Sequence, residues 1–341
     1  MKILYLSCHE VLEYDELSML SEIGIDLFST GVYRTPLAPV GETLRPPLPN
    51  LHVDPDDDAE YCRLLKSNND VRDCLCPGFL RRFDAVIVMH RPEWVRACID
   101  AGAGIPVIWR TIGQSHPAME REIASLKSDH LRIVRYSPRE QQLHNYCGHH
   151  AIIRFGKPVS EFAPWVGNIR RVVTFSNRMR QRGTHTCYDI FRAIIAPFDC
   201  DIYGVGNGDI HDLSRGSVSY CEQLRILNRY RVLGYTGTCP ASYTLSFMEA
   251  WLAGIPIVAV GRQLWNLATG SGELYEVPDL IVNGFNGFIS DSIEELQSAV
   301  LLMLNNDEAA SYISMRGRES AQKVFDAARI TQQWKSFLLS L

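Results

Sequence analysis

Hydroxyls, one carboxylate and a short run of arginines stand at spacings in this chain that can bind a phosphorylated ligand. In residues 239–261, CPASYTLSFMEAWLAGIPIVAVG, a turn carrying Pro240 and Ser242 opens a short helix. Backbone N–H groups near Ser242, Tyr243 and Thr244 then lack intrahelical partners and face whatever anion sits in front. Glu249 follows one turn or more behind. An anion-binding helix start with a carboxylate on the same helix points to a nucleotide-sugar site. Earlier, Arg178, Arg180 and Arg182 follow the run VVTFS, where guanidinium groups can bind an anion by multidentate hydrogen bonding.

The elements that must position these groups alternate. Gly254 ends the helix, Pro256 prevents its continuation, and IPIVAV reads as a buried parallel strand. In the first half, KILYLS, IDLFST, AVIVMH, IPVIWRT, LRIVRYS and AIIRFG read as strands, with residues 16–23 as a helix. Alternation of this kind predicts a parallel sheet covered by helices. Residues 33–59, Pro-rich and then acidic, read as an exposed loop or mobile insertion, the acidic run being a solvated surface. Two prolines and a glycine in residues 157–170 read as an interdomain linker. The second half repeats the strand and helix pattern and ends in helices at residues 292–305 and 309–324.

Composition bounds the class. A chain of 341 residues with 46% hydrophobic and 21% charged residues and a net charge of −5 has room for two ordinary globular domains. No apolar run is long enough to span a bilayer and residues 1–7 are too short for a signal peptide, so cytoplasmic residence is expected. Ten cysteines are scattered, and Cys74-Leu75-Cys76 is the nearest approach to a motif. Reduced thiols are expected and no metal site.

Residues 249–259, EAWLAGIPIVA, resemble the signature of GT-B glycosyltransferases, family 4 in particular. EVPDLI with NGFNGF at residues 276–288 is similar to that family's acidic, Gly-rich turn and strand. DIYGVG, with Gly204 and Gly206, resembles its strand ending in G-x-G, and VVTFSNRMRQRG its strand with paired basic residues. These segments cover most of the C-terminal half. The resemblance implies an α/β GT-B fold of two Rossmann-like domains facing an interdomain cleft. Residues 1–160 would form the acceptor-side domain, residues 161–326 the donor domain, and residues 327–341 would pack back on the first. It also implies a retaining enzyme with a nucleotide-sugar substrate, a UDP-sugar, and no further cofactor. Arg178 and Arg182 would then neutralise the leaving diphosphate, with Arg180 able to take one of the two roles. Glu249 would accept hydrogen bonds from the ribose. Ala241 departs from the pattern, because the family often carries a second acidic residue there. Ser242, Tyr243 and Thr244 are then the hydroxyls available to the sugar.

On the acceptor side, His90 ends AVIVMH at the edge of a buried strand, while His116 and His9 occupy comparable loops. Any of the three can orient an acceptor hydroxyl or accept its proton. Arg110, Thr111 and Gln114 follow another strand, and Gly113 stands where the family often has histidine. IWRTIGQS and YTGTCPASYTLSFMEA resemble small viral and metagenomic glycosyltransferases that decorate hydroxymethylated pyrimidines, such as hydroxymethylcytosine, in DNA. Arg81, Arg82, Arg91, Arg96, Arg170, Arg171, Arg225, Arg229 and Arg231 supply the charge that a duplex-binding face needs. The acceptor therefore remains open between hydroxymethylated DNA and a glycan, lipid or small molecule. A nucleotide-sugar epimerase and a noncatalytic sensor share the expected donor site. A nicotinamide dehydrogenase is disfavoured, since SCHEVLEY after the first strand lacks a Gly-rich turn. Oligomeric state is not legible.

Overall fold

The computed structural model describes residues 1–34, 48, 53–65 and 70–341, which fall into two compact units. Met1–Phe155 and Ala327–Leu341 form the first, Gly156–Asp326 the second. Each is built on one parallel sheet.

In the first unit the strands are β1 (Lys2–Leu6), β2 (Asp26–Ser29), β3 (Ala85–Met89), β4 (Val107–Arg110), β5 (Leu131–Arg135) and β6 (Ala151–Ile152). Their spatial order is β2-β1-β3-β4-β5-β6. The second unit holds β7 (Ile169–Phe175), β8 (Cys200–Tyr203), β9 (Tyr230–Tyr235), β10 (Ile257–Val260) and β11 (Phe288–Ser290), in the order β11-β10-β9-β7-β8. Every residue of β3, β9 and β10 is buried, as continuous apolar runs require when helices cover both faces of a sheet. In both sheets the second and third strands flank the first, so the strand order reverses at β1/β3 and at β7/β9. Open α/β sheets bind ligands at the carboxyl ends of strands at such reversals.

The helix after β1 spans Glu10–Glu22, longer than residues 16–23, because His9 caps it and its polar residues Glu13 and Glu16 turn inward. Helix Ala327–Leu338 packs against it and buries Ile330 and Trp334 in the first unit. No described helix is long and apolar enough to cross a membrane.

Two expectations need correction. Residues 157–170 are not a free linker: Phe162 is buried, Trp165 Nε1 donates to Tyr230 O at 2.8 Å, and the Val166 and Gly167 N–H groups donate to Asn228 O. They are part of the second unit. The acidic run is not wholly solvated either. Residues 35–47 and 49–52 of the expected loop lie outside the described residues, but Asp54 caps a helix at Pro55–Leu64. Asp57 on that helix is fully buried, with Lys2 Nζ at 2.5 Å and Arg82 Nε at 2.6 Å. A buried carboxylate needs such partners.

Candidate functional site

At the β7/β9 reversal, the loop after β7 carries the arginines and is clamped to the loop after β8. Arg178 N–H donates to Val205 O at 2.8 Å, and Val205 N–H to Asn177 Oδ1 at 2.9 Å. Gly204, at φ +141°, lies so close to this loop that a Cβ would stand 2.4 Å from Ser176 O. Only glycine permits that approach. Asn207, buried, accepts from Met179 N–H at 2.8 Å and donates to Ser176 O at 2.7 Å. The sequence reading missed it; an amide directly after the G-x-G was the available signal. Asn207→Ala orphans the Met179 N–H and is expected to cost about 1–3 kcal/mol of stability in denaturant unfolding.

On this platform Arg178 and Arg180 are exposed and Arg182 is half-buried. Arg178 has φ +48°, uncommon for a residue with a side chain, and Arg180 donates to Asp209 O at 3.1 Å. Arg182 has no carboxylate partner among the described residues, and burial holds its guanidinium below the ordinary arginine value. The following turn is tied to the loop after β9: Thr236 Oγ1 donates to Thr186 O at 2.8 Å and Cys239 N–H to His185 O at 2.7 Å. The arginine loop and the segment leading into the Glu249 helix are thereby joined.

That helix spans Leu245–Ala253, capped by Thr244, whose Oγ1 accepts from Phe247 N–H, and ended by Gly254 at φ +83°. The free donors sit slightly later than expected. Thr244 N–H donates to Tyr235 Oη at 3.1 Å, which leaves the Leu245 and Ser246 N–H groups without partners among the described residues. The hydroxyl expectation is also corrected. Ser242 is fully buried and its carbonyl accepts from Glu276 N–H at 2.9 Å, while the Tyr243 ring packs on Phe325 with centroids 5.0 Å apart. The turn folds inward onto the aromatic cluster of Tyr243, Phe247, Trp251 and Phe325, so of the three only Thr244 reaches the surface. Ala241 is buried as well.

Glu249 is 3% exposed. One carboxylate oxygen lies 3.2 Å from Lys157 Nζ, and Gln223 Nε2 donates to the other. Neither partner was legible, because neither belongs to a motif.

In the first unit, His9 and His90 leave β1 and β3 on either side of the order reversal. His9 serves as a helix cap, its Nδ1 accepting from Leu12 N–H at 3.4 Å, and burial lowers its pKa. His90 stands at φ +64°, and with Arg91, Glu93, exposed His116 and Glu122 lines a cavity of about 260 Å³. Of the acceptor-side candidates, the structure brings these two histidines together. It turns two others inward. Arg110 is fully buried, donating to Glu16 Oε1 and to Ile153 O at 2.6 Å each, with the Phe155 ring 4.0 Å away. Thr111 Oγ1 is buried and donates to Glu140 Oε1 at 2.8 Å. Both are buried in hydrogen bonds that brace the sheet; Gln114 is partly exposed. At Gly113, φ is +74° and a Cβ would lie 2.5 Å from the Tyr136 ring, so histidine does not fit.

Burial, then the charge of Arg91, pushes His90 down to about 4, keeping the imidazole neutral near pH 7. In the unfolded chain it titrates near the usual value of about 6.5. The unfolded state therefore binds more protons between those values, and this contribution, full above about pH 6.5, is lost as pH falls toward about 4. His90→Gln is expected to flatten the stability profile over that interval. An unchanged slope in unfolding titrations would contradict the assignment.

Two parallel-sheet units, each with loops at an order reversal, have the GT-B fold of glycosyltransferases. The fold comparison is specific. The chain superposes on Anabaena HepE in complex with UDP-glucose with a TM-score of 0.70 at 16% identity, over 100% of both chains. For sucrose-phosphate synthase from Thermosynechococcus elongatus the TM-score is 0.64 at 12% identity, over 100% of this chain and 98% of that one. For a glycosyltransferase from Rickettsia africae it is 0.63 at 11%, over 99% and 98%. No protein-family model matches the sequence, and no curated protein matches it.

Proposed function

We propose that this chain is a retaining glycosyltransferase that moves a sugar from a UDP-sugar to an acceptor hydroxyl. The observation that carries the reading is the joined pair of loops at the β7/β9 reversal. One presents Arg178 and Arg182 without carboxylate partners among the described residues; the other leads into a helix with free N–H donors and Glu249. Guanidinium groups and helix N–H donors stabilise charge that grows on a departing diphosphate. The bond from the sugar's anomeric carbon to the β-phosphate oxygen breaks as the bond to the acceptor oxygen forms on the same face. The leaving phosphate oxygen receives the acceptor's proton. His90 and His116 are proposed to orient that acceptor. UDP-glucose bound to HepE, on the same fold over its full length, supports a UDP-sugar donor.

For the acceptor, a glycan, lipid or small molecule is better supported than DNA. Of the arginines that would build a duplex-binding face, Arg82, Arg91 and Arg96 pair with Asp57, Glu93 and Glu122. Arg170 and Arg231 share Asp307, Arg171 pairs with Asp201 and Arg225 with Glu222. Carboxylates thus offset this charge locally, in a chain whose net charge is −5. The test incubates the protein with a panel of UDP-sugars and acceptors, including hydroxymethylcytosine-containing DNA, and reads products by mass spectrometry. A sugar mass shift on any acceptor with release of UDP is expected. A shift on DNA would reverse the acceptor ranking, interconversion of donor sugars without acceptor would indicate an epimerase, and binding without either reaction a sensor.

A further inference from the structure

Two helices wall the cavity at His90 and His116. Helix Pro92–Asp100 brings Glu93 in its first turn, helix Pro117–Ser125 brings Met119 and Glu122, and the two pack on each other. The backbone of His90 is pinned, its N–H donating to Arg110 O at 2.8 Å and its carbonyl accepting from Trp109 Nε1 at 3.0 Å. At about 260 Å³ the cavity is smaller than the roughly 300–1,000 Å³ sites that enclose drug-sized ligands, so it takes one ring-sized group.

Charge decides which kind of group. Besides the two histidines, the lining holds one cation, Arg91, and two carboxylates, Glu93 and Glu122. Arg91 stands 3.5 Å from Glu93, and Arg96, outside the lining, 3.4 Å from Glu122, whereas the buried pairs Arg110–Glu16 and Arg135–Glu120 close to 2.6 Å. The two cavity pairs are open and partly exposed, so little free energy is lost when a ligand comes between them. An anion would meet two carboxylates there, and an apolar group only Pro92, Ala118 and Met119. A neutral ring bearing hydroxyls suits every polar group present. Hydroxyls donate to carboxylates, which only accept, and accept from a guanidinium, which only donates, while a neutral imidazole such as His90 does both. We propose that this cavity is an acceptor subsite for an uncharged saccharide unit, with Glu93 and Glu122 binding its hydroxyls and excluding phosphorylated acceptors. This rests on the glycosyltransferase reading and the acceptor-side role of His90 and His116 given above.

The experiment gives the full chain a panel of UDP-sugars and compares neutral monosaccharides, the 6-phosphates of the same sugars and dodecanol as acceptors. It uses the wild type, Glu93→Gln and Glu122→Gln, with ligand-free melting recorded for each. Transfer to a neutral monosaccharide is expected at a kcat/KM about a hundredfold or more above that of its 6-phosphate, because like charges brought together at a binding surface are strongly unfavourable. In each variant that ratio should fall about tenfold, as one of the two repelling carboxylates loses its charge. A structural role alone would lower both acceptors together and leave the ratio intact, which overturns the proposal. A preference for the 6-phosphate or for dodecanol overturns it too, as does donor hydrolysis without any saccharide product. Both carboxylates are partly exposed, so both variants should fold; should one not, the other decides alone. Absence of UDP release with every donor and acceptor overturns the glycosyltransferase reading itself, a different failure from an unaltered ratio in the variants.

Discussion

Replacing Arg182 by Ala is expected to lower turnover by about a hundred- to a thousandfold, the usual effect of removing one preorganised group that meets transition-state charge. The affinity for UDP-sugar should fall far less. Charge on the diphosphate increases as the glycosidic bond breaks, so a cation aimed at it contributes more to the transition state than to the ground state. Arg182 suits this role better than its neighbours. It is half-buried, has no carboxylate partner among the described residues, and is shifted down by burial, so its desolvation is uncompensated until an anion arrives. Arg178→Ala should act in the same direction, through a side chain whose backbone the Val205 contact holds at positive φ. Steady-state kinetics with a nucleotide-release readout separate the two parameters. Unchanged turnover in both variants would remove the arginines from the mechanism.

Glu249→Ala should have a double effect. Truncation removes the carboxylate 3.2 Å from the buried Lys157 ammonium, and losing one partner of a buried pair lowers stability. Nucleotide affinity should weaken about ten- to a hundredfold through loss of hydrogen bonds to a charged group. Glu249→Gln, close to isosteric, isolates the second effect from volume loss. A variant with wild-type melting and wild-type UDP affinity would show that Glu249 neither balances Lys157 nor touches the nucleotide.

The sheets were legible because apolar β-branched runs such as AVIVM and IVAV have no alternative to burial, and Gly254 with Pro256 marks where the helix before β10 must stop. The loops of the candidate donor site were legible through glycine: Gly204 stands where the backbone at Ser176 approaches closely, and Gly206 where the Arg178 side chain does. Inward-facing charge was hidden. Glu16, Arg135, Glu120 and Glu140 are all buried, yet on strands and helices they read as ordinary polar positions, and Arg110, equally buried, read as a ligand contact. What keeps them inside is a partner from another element, as Arg135 has in Glu120 at 2.6 Å, and periodicity along one segment carries no record of partners elsewhere. Lys157 was missed in the same way, and its segment passed for a linker because prolines and a glycine mark irregular backbone whether or not it is packed. Ser242 and Tyr243 failed in the opposite direction, polar side chains in a turn that a nearby aromatic cluster draws inward.

Helix Ala327–Leu338 belongs to the first unit although it is synthesised after the whole of the second. On the ribosome the order of completion is thereby inverted: Gly156–Asp326 has all its residues available first, while the sheet that began at Lys2 waits for Ile330 and Trp334 to close over the helix Glu10–Glu22. Of the two units, the one whose sheet starts earlier along the chain is thus the one completed later.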